Sequence, residues 1–490
     1  MNTFMTTTSF LIESTSTTNL SDWQHDVLWA LIVGAIIAFF LGIGLGGNDV
    51  ANAFGTSVGS GVLLLYQAYI LATIFEALGS VLVGYSVADS LKNDLINIDI
   101  YKDEPKTLLF GQVAILGGTA TWLIIATLMK WPISTTQAIV GATVGMSMVN
   151  KGFDGIIFKE VIVIGFSWIF APILSGIISS IVYIIVDHSV LRRKNPFKCG
   201  LKMLPIFYFV CLFFNSFVII YQGSGLVGLK DLSLTKCLLI SFFIGLVAMG
   251  VVQFVLKPRL TRWINKTTLL DPIPQVKTFN NKRFSNLTQT DNESVDTRTQ
   301  EFDNTFTGFV KWILPLKDRK TSPRVLKIFG SIQIFTACFA GFAHGANDVS
   351  NAISPLSALI SIYRTGKTSQ NDETPIYVLL YGVLAICIGL WILGHRVIET
   401  VGQKMSSINP ASGFTIEFGA AVTTLLASKA GLPIATTHSI VGSVVFIGLI
   451  RSNESINFKL LRGVIFSWLI TLPVAGLISA GLMKILTLFL

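Results

Sequence analysis

The sequence predicts an all-α, polytopic membrane protein built from two inverted-topology repeats that contain broken half-helices. Three observations carry this prediction. Long apolar runs are almost free of charge, Lys and Arg cluster at two places only, and a set of polar motifs occurs twice in the same order.

The apolar runs come first. Of 490 residues, 52% are hydrophobic and only 13% charged, against about a quarter charged in soluble domains. The runs VLWALIVGAIIAFFLGIGLG (27–46), MLPIFYFVCLFFNSFVIIYQ (203–222) and KCLLISFFIGLVAMGVVQFVL (236–256) are long enough to cross a bilayer at about 1.5 Å per residue. In hydrocarbon the backbone must satisfy its own hydrogen bonds, so these runs are helices. Helices buried in a large soluble protein would not need apolar runs of this length.

The N-terminal stretch is different in kind. The first 26 residues are Ser/Thr-rich and hold no Lys or Arg. A secretory signal needs a basic region before its apolar core, so residues 1–27 are expected to remain as an extracellular polar tail. Four of the five cysteines (Cys211, Cys237, Cys338 and Cys387) lie in apolar runs, with no metal or disulfide spacing. They are expected to be inert thiols.

Charge sets the topology. The net charge is +9, and the segment from Lys257 to Lys327 alone holds 14 Lys and Arg against 7 Asp and Glu. No aromatic or Gly pattern accompanies this basic segment, so nucleic acid is not an expected partner. By the positive-inside rule, LRRKNPFKCGLK (191–202) and the loop beginning KPRLTRWINK are cytoplasmic. The N-terminus is then outside, and the first half makes an odd number of crossings. The second half starts inside. Halves that share a pattern but enter from opposite faces form an inverted repeat, the usual build of secondary transporters.

Four pieces recur in order. GGNDVANA (46–53) matches GANDVSNA (345–352) at six of eight positions. VADS (87–90) corresponds to VIET (397–400), which keeps an acid at Asp89 and Glu399. PISTTQAIVG (132–141) matches PIATTHSIVG (433–442) at seven of ten positions, and FSW occurs at 166–168 and 466–468, followed by Pro172 and Pro473. The division follows: tail 1–27, repeat one 28–190, a basic turn with two linking helices 191–256, a cytoplasmic loop 257–326 and repeat two 327–490. The loop is polar and is expected to be flexible, with a regulatory or dispensable role. Its Asn-x-Ser/Thr sites at Asn286 and Asn292 would face the cytoplasm, which leaves Asn19 as the better glycosylation acceptor.

The motifs point to ions. In NDVAN, helical spacing puts Asn48, Asp49 and Asn52 on one face, and the second copy gives Asn347, Asp348 and Asn351. A carboxylate with amide carbonyls suits Na⁺ or a proton relay; the alternative is a polar contact between helices. The flanking glycines are expected to let the helix break there. In PISTT and PIATT, Pro followed by hydroxyls opens an apolar stretch. That reads as a half-helix starting inside the membrane, whose free N–H groups and dipole suit an oxyanion. The alternative is an ordinary N-cap at the membrane surface. Two such starts related by the repeat are expected to face one anion at the midplane.

Two more intramembrane acids, Glu76 and Glu417, are candidates for cation binding or proton transfer, or else for structural ion pairs. They are not repeat mates: aligning GYSV with GHRV sets Ile386 opposite Glu76. His344 is either proton-sensitive or a hydrogen-bonding helix residue. The two motif pairs themselves contain no Lys or Arg. An anion there would be repelled by the aspartates unless a cation bound too, so coupling is expected to be obligatory.

Taken together, GGNDVANAFGTSVGSG, IFEALGS, PISTTQAIVGA, AHGANDVSNAISPLSA, GFTIEFGAA and PIATTHSIVGS resemble the inorganic phosphate transporter family, and within it the eukaryotic sodium–phosphate symporters. The resemblance implies ten to twelve transmembrane helices and uptake of monovalent phosphate coupled to sodium. It implies phosphate binding by Ser134, Thr135, Thr136, Thr436 and Thr437. Sodium would bind at Asp49 and Asp348, with Asn48, Asn52, Asn347 and Asn351. Glu76 and Glu417 would be needed for transport, and His344 occupies the family's histidine position. Two departures stand out: Ala435 replaces a usual serine, and Gln137 stands where histidine is common. The implied partners are inorganic phosphate, sodium ions and the lipid bilayer, with a homodimer as a further expectation. No cofactor is implied beyond the co-transported Na⁺ or H⁺. The expected location is the plasma membrane.

Proton-coupled phosphate symport is the alternative within this class, and a phosphate-sensing receptor with little transport is the alternative outside it. An ATP-driven pump lacks the GxxxxGK[ST] loop, and no nucleophile–base constellation marks an enzyme.

Overall fold

The computed structural model describes residues 2–84, 96–222, 232–270, 305–370, 374–429, 434–452 and 456–490. Its described residues are helical almost throughout. The first repeat contains α1 (Asn2–Gly59), α2 (Leu65–Gly79), α3 (Pro105–Leu128), α4 (Thr135–Lys151) and α5 (Phe158–Val186). The link contains α6 (Pro196–Gln222) and α7 (Leu234–Val251), which pack on each other. Next come α8 (Lys257–Leu270) and α9 (Phe306–Ile313). The second repeat contains α10 (Pro323–Thr365), α11 (Ile376–Leu393), α12 (His395–Glu399), α13 (Pro410–Lys429), α14 (Thr436–Arg451) and α15 (Phe458–Leu486). Among the described residues, nine helices are long and apolar enough to cross a membrane, and α14 is a shorter apolar one.

The halves are inverted, and glycine contacts prove it. Along α1 and α10, Gly34 meets Leu359, Phe54 meets Gly341 and Val62 meets Gly330. As one number rises the other falls, so the two helices that carry the NDV motif run antiparallel. Between α1 and the stretch from α11 to the turn Thr400–Lys404 the contacts instead rise together: Gly42 with Ala385, Gly47 with Leu393 and Gly59 with Gly402. The contacts come in symmetric pairs. Gly46 abuts the backbone of Ile386, and Gly345 abuts the backbone of Glu76. This pairing sets Ile386 opposite Glu76, the register read from the sequence. Gly141 against Leu472 is matched by Gly442 against Pro172, so α4 packs along α15 and α14 along α5. Each half-helix is thus supported by the final helix of the other repeat. Small polar residues let these helices close: Ser175 donates to the carbonyl of Ser439 at 2.6 Å, and Ser179 bonds Ser443 at 2.8 Å.

The half-helices belong to re-entrant hairpins. Helix α3 starts at the face where α1 enters, with Lys106 bonded to Asp26 at 2.9 Å. Helix α4 returns to that face, with Lys151 bonded to Glu104 at 2.7 Å. That bond holds the Glu104 carboxyl below its ordinary value. The turn between them lies at the depth of Asn48, which bonds Trp131 and Ile133. The second hairpin opens to the opposite face, where Arg451 at the end of α14 bonds Ser407 and Ser412 near the start of α13. After α15, the Phe489 ring lies tilted against Trp29 with centroids 5.6 Å apart, back at the first face.

Three expectations change. The helices do not break at the NDV motifs: α1 and α10 run through them unbroken. The flanking glycines serve close backbone approach instead. The residues expected as a polar tail belong to α1. The segment 257–326 is not loop throughout, because α8 and α9 bracket it. Helix α9 is fastened to the end of α5 by Arg192, which bonds Asp187 at 2.5 Å and the carbonyl of Trp312 at 2.8 Å. Asp89, Asn286, Asn292 and Pro433 lie outside the described residues, as do the side chains of Asn19 and Lys429. All five cysteines are free.

Candidate functional site: two half-helix tips around Asp49

The two half-helix starts face each other. At the first tip, Ser134 has extended backbone and its side chain accepts from the N–H of Gln137 at 3.2 Å, so it is the N-cap of α4. At the second, Ala435 takes the same place before α14 with no side-chain cap bond. Thr437 donates to the carbonyl of Ile133 at 3.1 Å, which joins the tips directly. Further in, the Gln137 amide meets the His438 ring at 3.3 Å across the repeat axis, and that ring stacks on Trp468 with centroids 3.8 Å apart.

Asp49 and Asn52 on α1 sit between the tips. Asp49 Oδ2 accepts from Thr135 at 2.7 Å, Asp49 Oδ1 accepts from Asn52 at 3.2 Å, and the Thr437 hydroxyl lies 3.5 Å from Oδ1. The Asn52 amide also donates to Thr436 at 3.3 Å and Thr437 at 3.0 Å. Its oxygen, Asn52 Oδ1, is buried with no partner among the described residues. Asp49, Asn52, Ser134, Thr135, Thr136, Thr436 and Thr437 are all buried. One carboxylate therefore lies against hydroxyls of both half-helices, and an amide oxygen with no partner among the described residues lies beside it.

Asn48 does not join this set. Its amide donates to Thr127 at 3.1 Å and to the carbonyl of Trp131 at 2.9 Å, and its oxygen accepts from the N–H of Ile133 at 3.1 Å. Both ends of the side chain hold the first tip in place, so a role as cation ligand is not what its bonds serve.

The second motif copy is less committed. Asn351 reaches Thr136 at 3.5 Å, the weak end of hydrogen-bonding range. Asp348 is buried and has no hydrogen-bond partner among the described residues; Asn347 beside it is half-buried. His344, one turn before Asp348, is buried, with its Nδ1 unpartnered among the described residues. These acids are spread out rather than gathered. Among the described residues no three of His, Cys, Asp and Glu come together as a metal cluster. A cation at Asp49 would therefore take one carboxylate with amide and hydroxyl oxygens, a set suited to a hard monovalent ion.

Glu417 forms a separate node one turn further along α1. Its Oε1 accepts from Thr56 and Ser57, both at 2.6 Å, and from Gln333 at 3.2 Å, while Oε2 accepts from Thr336 at 2.5 Å. Four donors from the two antiparallel motif helices satisfy one buried carboxylate. The sequence singles out Glu417 but not its partners. Gln333 is the detectable signal, an amide inside the apolar run FGSIQIFTACFA. Likewise Gln137 stands out in the sequence only as a departure, and its mate His438 does not stand out at all.

Known proteins resemble this chain over nearly its whole length. The family model described as the phosphate transporter family matches residues 45–479. A sodium-dependent phosphate transporter 1-A of Danio rerio is 32% identical, covering 94% of this chain and 95% of that one. Sodium-dependent phosphate transporter 1 of Homo sapiens is 31% identical, covering 97% and 98%. A solved structure titled "The sodium-dependent phosphate transporter" superposes with a TM-score of 0.77 at 30% identity, covering 94% of this chain and all of that one. Sequence, inverted fold and facing half-helices agree: the chain belongs to the phosphate transporter family.

Proposed function

We propose that the protein is a sodium-coupled symporter of inorganic phosphate that works by alternating access. The observation that carries this reading is the convergence of both half-helix N-termini on Asp49. Each N-terminus offers free N–H groups and the positive end of a dipole, which together suit a tetrahedral oxyanion. Ser134, Thr135 and Thr136 from one tip, and Thr436 and Thr437 from the other, hold the phosphate.

Electrostatics supplies the coupling. Phosphate next to the buried carboxylates of Asp49 and Asp348 is repelled unless positive charge binds with it. Sodium binds at Asp49 with Asn52, and at Asp348 with Asn351 and Asn347. Asn48 positions the first tip. Glu76 and Glu417 are the further acids that transport needs, and His344 is the proton-sensitive neighbour of Asp348. The inverted halves support alternating access, because exchanging their roles moves the opening from one face to the other.

The reading places the N-terminus outside a plasma membrane and residues 257–326 in the cytoplasm, in line with the basic segments. It includes a homodimer, to be read by cross-linking the reconstituted protein. The deciding experiment is uptake of radioactive phosphate into reconstituted vesicles with Na⁺ and H⁺ gradients imposed separately. Uptake driven by Na⁺ alone is expected. Uptake driven only by H⁺ transfers the cation sites to protons, and saturable binding without uptake under either gradient makes the protein a receptor.

A further inference from the structure

We propose that Lys130 and Glu399 form a latch between the two repeats, which holds the tip of the first hairpin and so positions the phosphate-binding end of α4. The proposal rests on the symport reading above. Both are positioning residues: they reach the tip from outside the Asp49 cluster.

The latch is built from side chain and backbone together. Lys130 lies at the deepest point of the first hairpin, shortly before Thr135. Its ammonium bonds Glu399 of the second repeat at 3.2 Å. Thr400 donates to the carbonyl of Lys130 at 3.1 Å, and Arg396 donates to the carbonyl of Leu128 at 3.3 Å. One short stretch of the second repeat, 396–400, therefore grips the tip at three points.

The backbone at Lys130 gives an independent indication. It has φ of 64°, closing α3 with its N–H on Thr127 and the N–H of Trp131 on Ala126. That left-handed helix-closing position favours glycine, and a lysine there is strained. Strain of this kind persists where the side chain has a job that glycine cannot do. The job visible here is the bond to Glu399.

Glu399 is arranged for release. It lies just before the π-helical turn Thr400–Lys404, and its other oxygen bonds Lys404 at 2.8 Å. When Lys130 leaves, Glu399 keeps a partner, so no uncompensated carboxylate is created. The side chains of Lys130 and Glu399 are 46% and 32% exposed, so the ion pair is not locked inside the protein. An exposed ion pair beside two bonds to the tip's backbone carbonyls fits a joint that can be released better than a permanent staple.

The test uses purified full-length protein in vesicles and needs wild-type Na⁺-driven phosphate uptake as its reference. Lys130→Gly relieves the backbone strain while removing the ammonium. If Lys130 only closes a helix, this variant keeps its phosphate KM and its thermal midpoint is equal or higher. The latch predicts an unlowered midpoint but a KM raised roughly fivefold, the upper range for losing an exposed ion pair. Glu399→Gln, which leaves the backbone untouched, is expected to raise KM similarly. The exchanged pair K130E/E399K is expected to return KM to within about twofold of wild type. An unchanged KM in both single variants, or an exchanged pair no better than the product of its single changes, overturns the latch. If the wild type shows no Na⁺-driven uptake, the symport reading falls and takes the latch with it.

Discussion

Thr437, in the first turn of α14, donates its hydroxyl hydrogen bond to the carbonyl of Ile133 just before α4, 3.1 Å away and 304 positions distant in sequence. The same hydroxyl accepts from Asn52 and lies 3.5 Å from Asp49. One side chain thus ties the two half-helix tips to each other and to the carboxylate between them. Thr437→Val keeps the shape and removes all three contacts. It leaves the Ile133 carbonyl buried without that donor, a loss of about 1–3 kcal/mol. We expect phosphate KM to rise about tenfold, the factor for about 1.4 kcal/mol, with normal membrane insertion. Kinetics of phosphate uptake at saturating Na⁺ check this.

Asp49→Asn and Asp348→Asn are nearly isosteric and each removes one negative charge from the site. Both are expected to abolish Na⁺-coupled uptake while the protein still inserts. Asp49 differs from Asp348 in accepting side-chain hydrogen bonds from Thr135 and Asn52. Asp49→Asn should therefore also lower stability by about 1–2 kcal/mol, through its bonds to Thr135 and Asn52. Full coupled activity in either variant removes that residue from the cation site. Uptake and thermal unfolding together separate the two effects.

Glu417→Gln tests the node on α1 and α10. The carboxylate accepts from Thr56, Ser57, Gln333 and Thr336. A glutamine amide would turn an N–H₂ group towards donors on one side. Hydrogen bonds to a charged group are worth about 1.5–3 kcal/mol each, so we expect a stability loss of about 3 kcal/mol with loss of transport. Unchanged thermal unfolding in the Glu417→Gln variant would show that the cluster does not brace α1 against α10.

Ala435→Ser restores the symmetry of the tips. Ser134 caps α4 by accepting from Gln137, while Ala435 gives α14 no such cap. An added N-cap hydroxyl is worth about 1 kcal/mol. If that hydroxyl also reaches phosphate, KM falls about fivefold. A raised thermal midpoint with unchanged KM would show that the backbone N–H groups at this tip carry the anion alone.

How far the sequence can be read is clearest at particular residues. Asn48, Asp49 and Asn52 share a helix face by spacing alone, yet Asn48 turns to the α3–α4 turn while Asn52 turns to the α14 tip and Asp49 bonds both tips. Spacing assigns a face, and only packing decides which neighbour fills it. The glycines beside the motif suggest points of weakness. In the fold Gly46 and Gly345 mark backbone-to-backbone contact with Ile386 and Glu76. Missing side-chain volume has both uses, and a single chain does not distinguish them.

The sequence by itself determined that the chain lives in a membrane, that its two halves run in opposite senses, and which short polar phrases matter. Those conclusions depend on local quantities: run length, charge placement and internal repetition. Tertiary structure alone decided that Thr437 meets Ile133, that Glu417 draws donors from both motif helices, and that Lys130 bonds Glu399. Each contact joins residues dozens to hundreds of positions apart, and those to Ile133, Thr56 and Lys130 form only where the two inverted halves pack on each other. No local pattern encodes such a meeting, because it depends on the register in which one half packs against the other.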